Sequence, residues 1–189
     1  MTGSICCANK DSNSKNENSE ISGSSSNSII SNSTEIIEIY CMQSLSWQLS
    51  KIFEDAVPGM SSAILFASIS HFIEFMQKKE DLLMEEGVIA VELLKRLVQK
   101  QQFKKVNLIS MKNTGMILTI AFILALKLSR DQMNMNSHFA KVFNIPIVDL
   151  NLSEISFLKI VDFQLWVNDD YFSQSFEEVS EFEDVNIPL

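Results

Sequence analysis

The sequence predicts an all-α domain of five or six helices packed around a central one. Three observations carry this reading. Apolar residues recur every three or four positions through most of the chain after Thr34. Alternating apolar and polar runs joined by Asn-Gly or Asp-Gly turns, the mark of strands, are missing. One stretch, Thr114 to Leu126, runs thirteen residues without a charge, the pattern of a helix surrounded by others.

The 189 residues suffice for one compact domain with tails. A net charge of −9 argues against a nucleic-acid partner, whose phosphates attract basic surfaces. Cys6, Cys7 and Cys41 form neither a metal-ligand spacing nor a disulfide framework, so a reducing compartment, cytoplasm or nucleus, is expected. The opening MTGSICCANKDS lacks the apolar region of a secretory signal. Glycine stands at position 3 rather than 2, which does not fit myristoylation; palmitoylation of Cys6 and Cys7 stands against the simpler reading of two free thiols. The longest apolar run falls short of the roughly 20 residues that span a bilayer, so no membrane span is expected.

Residues 1–33 are rich in Ser and Asn and carry too few large apolar groups to offset their ordering entropy, so a disordered tail is expected. From Thr34 a capping residue precedes a helical stripe of Ile36, Ile37, Tyr40, Leu45, Leu49, Ile52 and Phe53, which Pro58-Gly59 breaks. Ser61 or Ser62 starts a second helix with Ile64, Leu65, Ile69, Phe72, Ile73 and Met76 on one face, and QKKED turns the chain. A third helix is expected from about Leu82 to Gln101, with Met84, Val88, Val91, Leu94 and Val98 on its stripe. The fourth, from about Ser110 to Ser129, is the central one. A short helix from His138 to Phe143 follows. Pro146 then opens the last long helix, where its missing N–H is no loss, and Asp149 suits the first-turn dipole. That helix is expected to reach about Trp166. The acidic tail, residues 171–189, either packs as one more amphipathic helix or stays loose.

Catalytic patterns are missing. The sequence holds no glycine-rich phosphate loop, no HExxH, no GxSxG and no CxxC. His71 and His138 lie on separate helical segments without a nucleophile in register. No enzyme activity, catalytic residue, cofactor or metal is expected.

Two charges break apolar patterns. Lys127 closes the uncharged run, and Glu154 lies on the helical face made by Leu150, Phe157, Leu158 and Val161. Three plain readings compete with a functional one. Lys127 satisfies the carbonyls ending its own helix, Glu154 is simply solvent-exposed, or the two pair only with each other. The functional reading is a partner site. An ammonium and a carboxylate held on adjacent rigid helices bind backbone carbonyls and N–H groups of another chain, each charged bond contributing about 1.5–3 kcal/mol.

The stretch ALKLSRDQMNMNSHFAKVFNIPIVDLNLSEISFLKIVDFQLWV resembles the latter half of a cyclin box, nearest to the phosphate-regulation and P/U types. Ala125 and Lys127, Asp131, Asn136, Phe139-Ala140-Lys141-Val142, Ile145, Leu150-Asn151, Glu154, Phe157-Leu158, Asp162-Phe163, Leu165 and Val167 carry the likeness without a gap. VPGMSSAILFASISHF and VELLKRLV are similar to the first and second helices of the box, and the likeness covers about residues 40–170.

The resemblance implies a five-helix box, within residues 34–170, whose third helix is buried. It also implies a non-catalytic subunit that docks on the regulatory helix of a cyclin-dependent protein kinase and helps place the kinase's active-site glutamate. Lys127 and Glu154 then contact kinase backbone, with Leu150, Phe157 and Leu158 as apolar support. The alternative is a cyclin-fold scaffold that binds a partner and activates nothing. Departures favour that alternative. The family's Arg–Asp brace between the first two box helices is replaced by Ser68 and Lys95. The His-Arg opening the third is replaced by Gly115-Met116. A second box is not expected after Val167, as in single-box members of the family.

Overall fold

The computed structural model describes residues 25–57, 59, 62–106, 108–131 and 135–180, with the side chains of the first helix described from Tyr40. Cys6, Cys7, Pro58, residues 181–189 and most of the expected disordered tail lie outside the described residues. Within them the structure is helical throughout: α1 (Ser25–Ala56), α2 (Ser62–Glu80), α3 (Met84–Lys104), α4 (Thr114–Ser129), α5 (Asn136–Val142), α6 (Ile147–Ile160) and α7 (Asp169–Ser180).

α4 is the centre. Residues 118–126 are buried without interruption, so no face of that segment meets water. α3 packs along one side of α4 and α6 along another. From α2, the ring of Phe72 stands edge-on to Phe122 of α4 at 5.2 Å and stacks on Phe143 at 6.0 Å. α2 and α3 each turn one apolar stripe to this centre, Leu65, Ile69, Ile73 and Met76 from the first, Val88, Val91, Leu94 and Leu97 from the second. α1 lies across α2 and α3, burying Leu45, Leu49 and Phe53.

Gly87 sets how close α1 comes to α3. A Cβ there would stand 2.5 Å from Cδ2 of the fully buried Leu45. Glycine in a helix interior costs about 0.5–1 kcal/mol, and here that cost allows the two helices to touch.

Several boundaries differ from expectation. α1 is described from Ser25, ahead of the helix start expected at Thr34. Extending a formed helix adds one hydrogen bond per residue fixed, which lets a weak Ser/Asn stretch follow a strong nucleus. α4 starts at Thr114 rather than Ser110 because Asn113 organises a turn before it. Its Oδ1 accepts from Ser110 N at 2.8 Å and its Nδ2 donates to Leu108 O at 2.6 Å.

α6 stops at Ile160, well short of the expected Trp166. Asp162 and Phe163 turn left-handed at φ 56° and 57°, and Phe163 N returns to Leu158 O at 2.8 Å. Lysines of α3 hold that turn. Lys104 Nζ donates to Ile160 O at 2.9 Å and to Asp162 Oδ1 at 2.6 Å, and Lys100 Nζ donates to Asp162 Oδ2 at 2.8 Å. These two ammonium groups hold the Asp162 carboxyl below its ordinary value.

Of the two alternatives left open for the acidic tail, the helical one is found as far as Ser180. α7 buries Ser175 and Val179 against α3 and α1. Lys95 fastens it. Its Nζ donates to Ser175 Oγ at 2.8 Å and to Glu178 Oε2 at 3.2 Å, while Ser175 Oγ donates to Glu92 Oε1 at 2.5 Å.

Gly87→Val is expected to lower the unfolding free energy by about 1–3 kcal/mol through overpacking against Leu45, measured by denaturant titration. An unchanged midpoint would show that α1 and α3 do not meet there.

Candidate functional site

The antiparallel contact of α4 with α6 brings Lys127, in the last turn of α4, to Glu154, in the middle of α6. Lys127 Nζ donates to Glu154 Oε1 and, at 2.6 Å, to Oδ1 of Asn136. Asn136 Nδ2 donates to Glu154 Oε2 and to Asn151 Oδ1, the latter at 2.7 Å. The side chains of Lys127 and Glu154 keep 19 % and 13 % of their surface in water. The pair therefore sits at the rim of the domain, neither sealed inside nor free.

The three plain readings can now be compared with this geometry. Lys127 does not serve the carbonyls of its own helix. Leu126 O instead accepts from Arg130 N at 3.2 Å and from Ser129 Oγ at 3.4 Å. Glu154 is not an exposed residue on a misjudged face. The two do pair with each other, with Asn136 as a third member.

The expected apolar support needs correction. Leu150 and Phe157 are 0 % and 3 % exposed and belong to the core of the free chain, with Phe157 showing only an edge at the surface. Leu158 is half-buried and packs against the same core. Spacing placed Glu154 on their face, and that face points inward. The apolar groups facing water lie one step round the helix: Val148 is 63 % exposed, Leu152 59 % and Ile155 46 %. Their spacing of four and three makes a second stripe on α6. Beyond the helix end, Phe163 is also exposed.

A groove of about 240 Å³ lies between the second half of α6 and the first half of α4. Met116, Ile117 and Ile120 line one wall and Leu152, Phe157 and Ile160 the other. A second apolar groove, about 550 Å³, lies between α2 and α4. Ser68 and Gly115, two of the departures noted above, both line it. A Cβ added to Gly115 would meet nothing within 4 Å.

A family model described as Cyclin matches residues 4–165. The chain belongs to the cyclin family. No curated protein matches it, and no solved structure does. The cyclin box is a regulatory fold, generally without catalysis, and the all-helical arrangement around α4 is consistent with it. Among the described residues no group of three or more His, Cys, Asp or Glu could hold a metal, and no helix is long and apolar enough to cross a membrane.

One ion pair of this cyclin was not foreseen. Glu86, in the first turn of α3, is 1 % exposed at its side chain and is gripped by Arg130 beyond the end of α4. Arg130 Nε and Nη2 donate to its two oxygens at 2.5 and 2.8 Å. Leu83 N donates to Oε2 at 2.9 Å and Ser129 Oγ to Oε1 at 3.1 Å. The bidentate clamp joins the α2–α3 turn to the exit of α4, three residues past Lys127, and so fixes the end of the helix that presents Lys127. A Glu three residues into a helix is a visible signal; the partner Arg130, 44 positions away, is not. The histidines part company. His71 is exposed with Nδ1 at 2.8 Å from Ala67 O, whereas His138 Nε2 lies 2.7 Å from Oε1 of the buried Glu80.

Burial pushes the Glu86 carboxyl up, but the bonds from Arg130 and Leu83 outweigh it and hold the group below its ordinary 4.5. A depressed folded value means the clamp stabilises fully above the unfolded value and is lost as pH falls through the folded one. Arg130→Ala leaves the carboxylate buried and unpaired, and a loss of about 3–5 kcal/mol at neutral pH is expected. Because the variant gains by protonating Glu86, its deficit should shrink in mild acid. Unfolding titrations at the two pH values check this; a deficit constant with pH would mean that Glu86 is not the group affected.

Proposed function

We propose that this cyclin is a regulatory subunit that docks on a cyclin-dependent protein kinase and activates it, in the manner of the phosphate-regulation and P/U types. One observation carries the reading: an ammonium and a carboxylate, mostly buried but still reaching water, stand together on two helices beside an uncovered apolar stripe. Apolar surface left in water next to fixed charges is the composition of an interface. In this reading Lys127 donates to a kinase backbone carbonyl and Glu154 accepts from a backbone N–H. Val148, Leu152 and Ile155 supply the buried area, in place of Leu150 and Phe157. The proposed setting is the cytoplasm or nucleus, where such kinases work.

A second reading is supported by Ser68 and Gly115-Met116. Where the family has large or charged side chains, this chain has small or apolar ones, and a wide groove results. A cyclin-fold scaffold that binds some other partner and activates nothing fits those departures.

Purified full-length chain, incubated with a panel of purified cyclin-dependent kinase catalytic subunits, is expected to bind at least one and raise its phosphorylation of a peptide. The Lys127→Ala, Glu154→Ala double variant should bind about tenfold or more weakly, since each charged bond contributes about 1.5–3 kcal/mol. Binding without activation removes the activating role, and no binding to any kinase of the panel selects the scaffold. Undiminished binding by the double variant removes the pair from the interface.

A further inference from the structure

The bonding capacity of the Lys127 site is divided unevenly. Both donors of the Asn136 amide are engaged: the two hydrogens of Nδ2 go to Glu154 Oε2 and Asn151 Oδ1, while Oδ1 accepts from Lys127. The ammonium has three hydrogens and uses two, on Asn136 and Glu154. The carboxylate receives one bond on each oxygen, which leaves each with a further acceptor position. What remains for a partner is thus one donor on Lys127 and acceptor capacity on Glu154. Asn136 has no donor left to offer one.

We propose that Asn136 is the positioning residue of this site, holding Lys127 and Glu154 in one geometry while leaving their outward capacity open; this deepens the kinase-docking reading and rests on it. A lysine carries four rotatable methylenes and a glutamate two, and fixing both on docking costs entropy. Asn136 meets that cost during folding. Its position makes this possible. It is the first residue of α5, a helix packed on α6, so its side chain points from one rigid element into the contact of two others. The arrangement also lets Glu154 turn to a partner without stranding the ammonium, because Lys127 keeps its bond to Oδ1. Asn151, one turn before Glu154 on α6, steadies the amide and touches neither charge.

The test reads Lys127 directly in the free full-length chain, by nitrogen-15 NMR of its ammonium group. Wild type and Asn151→Ala are expected to show a protected Lys127 signal. Asn136→Ala should show water exchange faster by about tenfold, as expected for loss of a charged hydrogen bond. Asn136→Asp, which keeps an acceptor for Lys127 but repels Glu154, should keep the signal protected and guards against misreading a folding defect. Exchange unchanged in Asn136→Ala overturns the proposal. In a second arm, binding of a kinase catalytic subunit that captures wild type should fall about tenfold in Asn136→Ala. Unchanged capture alongside a released Lys127 also overturns it, since positioning would then not matter to docking. A released Lys127 together with no kinase bound by wild type upholds the positioning role of Asn136 and removes the docking reading.

Discussion

Between Leu118 and Leu126 every side chain of α4 is withdrawn from water, and the rest of the fold answers to that requirement. A helix with no polar face has to be enclosed, and at about 25 cal/mol per Å² of apolar surface the enclosure is the largest favourable term available to a domain of this size. α2, α3 and α6 supply one stripe each, and α1 is laid over the first two. A second consequence concerns the ends. A helix that tolerates no charge along its length must place its polar groups where it emerges. Lys127 and Arg130, the two cations at its exit, accordingly hold the carboxylates of Glu154 and Glu86. The burial that stabilises the box also concentrates its partly shielded charge at one rim.

The two pairs at that rim have different characters. Glu86 accepts four hydrogen bonds and its carboxyl is sealed, so the Arg130 clamp is complete and belongs to the architecture. The Lys127 pair is left incomplete, with donor and acceptor capacity unused in the free chain. A buried ion pair adds little net stability over apolar groups of the same volume, because desolvation offsets the attraction. Stability alone thus gives no reason to keep an ammonium and a carboxylate at 19 % and 13 % exposure where leucines would pack. A requirement for register with another chain gives one.

Periodicity made much of the fold legible. The central helix, the stripes of α2 and α3 and the opening of α6 at Pro146 all follow from apolar spacing and a few capping residues. What it missed depended on contacts distant in sequence. α6 ends at Ile160 because Lys104, 56 positions earlier, reaches its carbonyl, and no residue near Ile160 announces that. α7 is held by Lys95 through Ser175 and Glu178, a polar fastening that apolar spacing does not register. At the site, spacing correctly grouped Glu154 with Leu150 and Phe157 but did not say which way that face pointed. α6 carries two apolar stripes, one through Leu150 and Phe157 and one through Val148, Leu152 and Ile155. A helix with two such stripes has one more than a single core needs, and that surplus was the available signal for an outward-facing surface.

Pairing in the free chain also governs how the site can be interrogated. Removing Lys127 alone leaves Glu154 beside Asn136 with a half-shielded negative charge, and removing Glu154 alone does the same to the ammonium. Each single change thus mixes the loss of an outward contact with the cost of an orphaned charge. That cost differs between the free protein and the complex, where the partner shields the orphan from water, and so it distorts any comparison between them. Removing both charges cancels the orphan term and leaves the outward contacts as the difference. Asn136 is separable from both, since an amide replaced by a methyl leaves no net charge behind. Its contribution is therefore the cleanest measure of whether the geometry of the pair, rather than its charge, is what a partner would recognise.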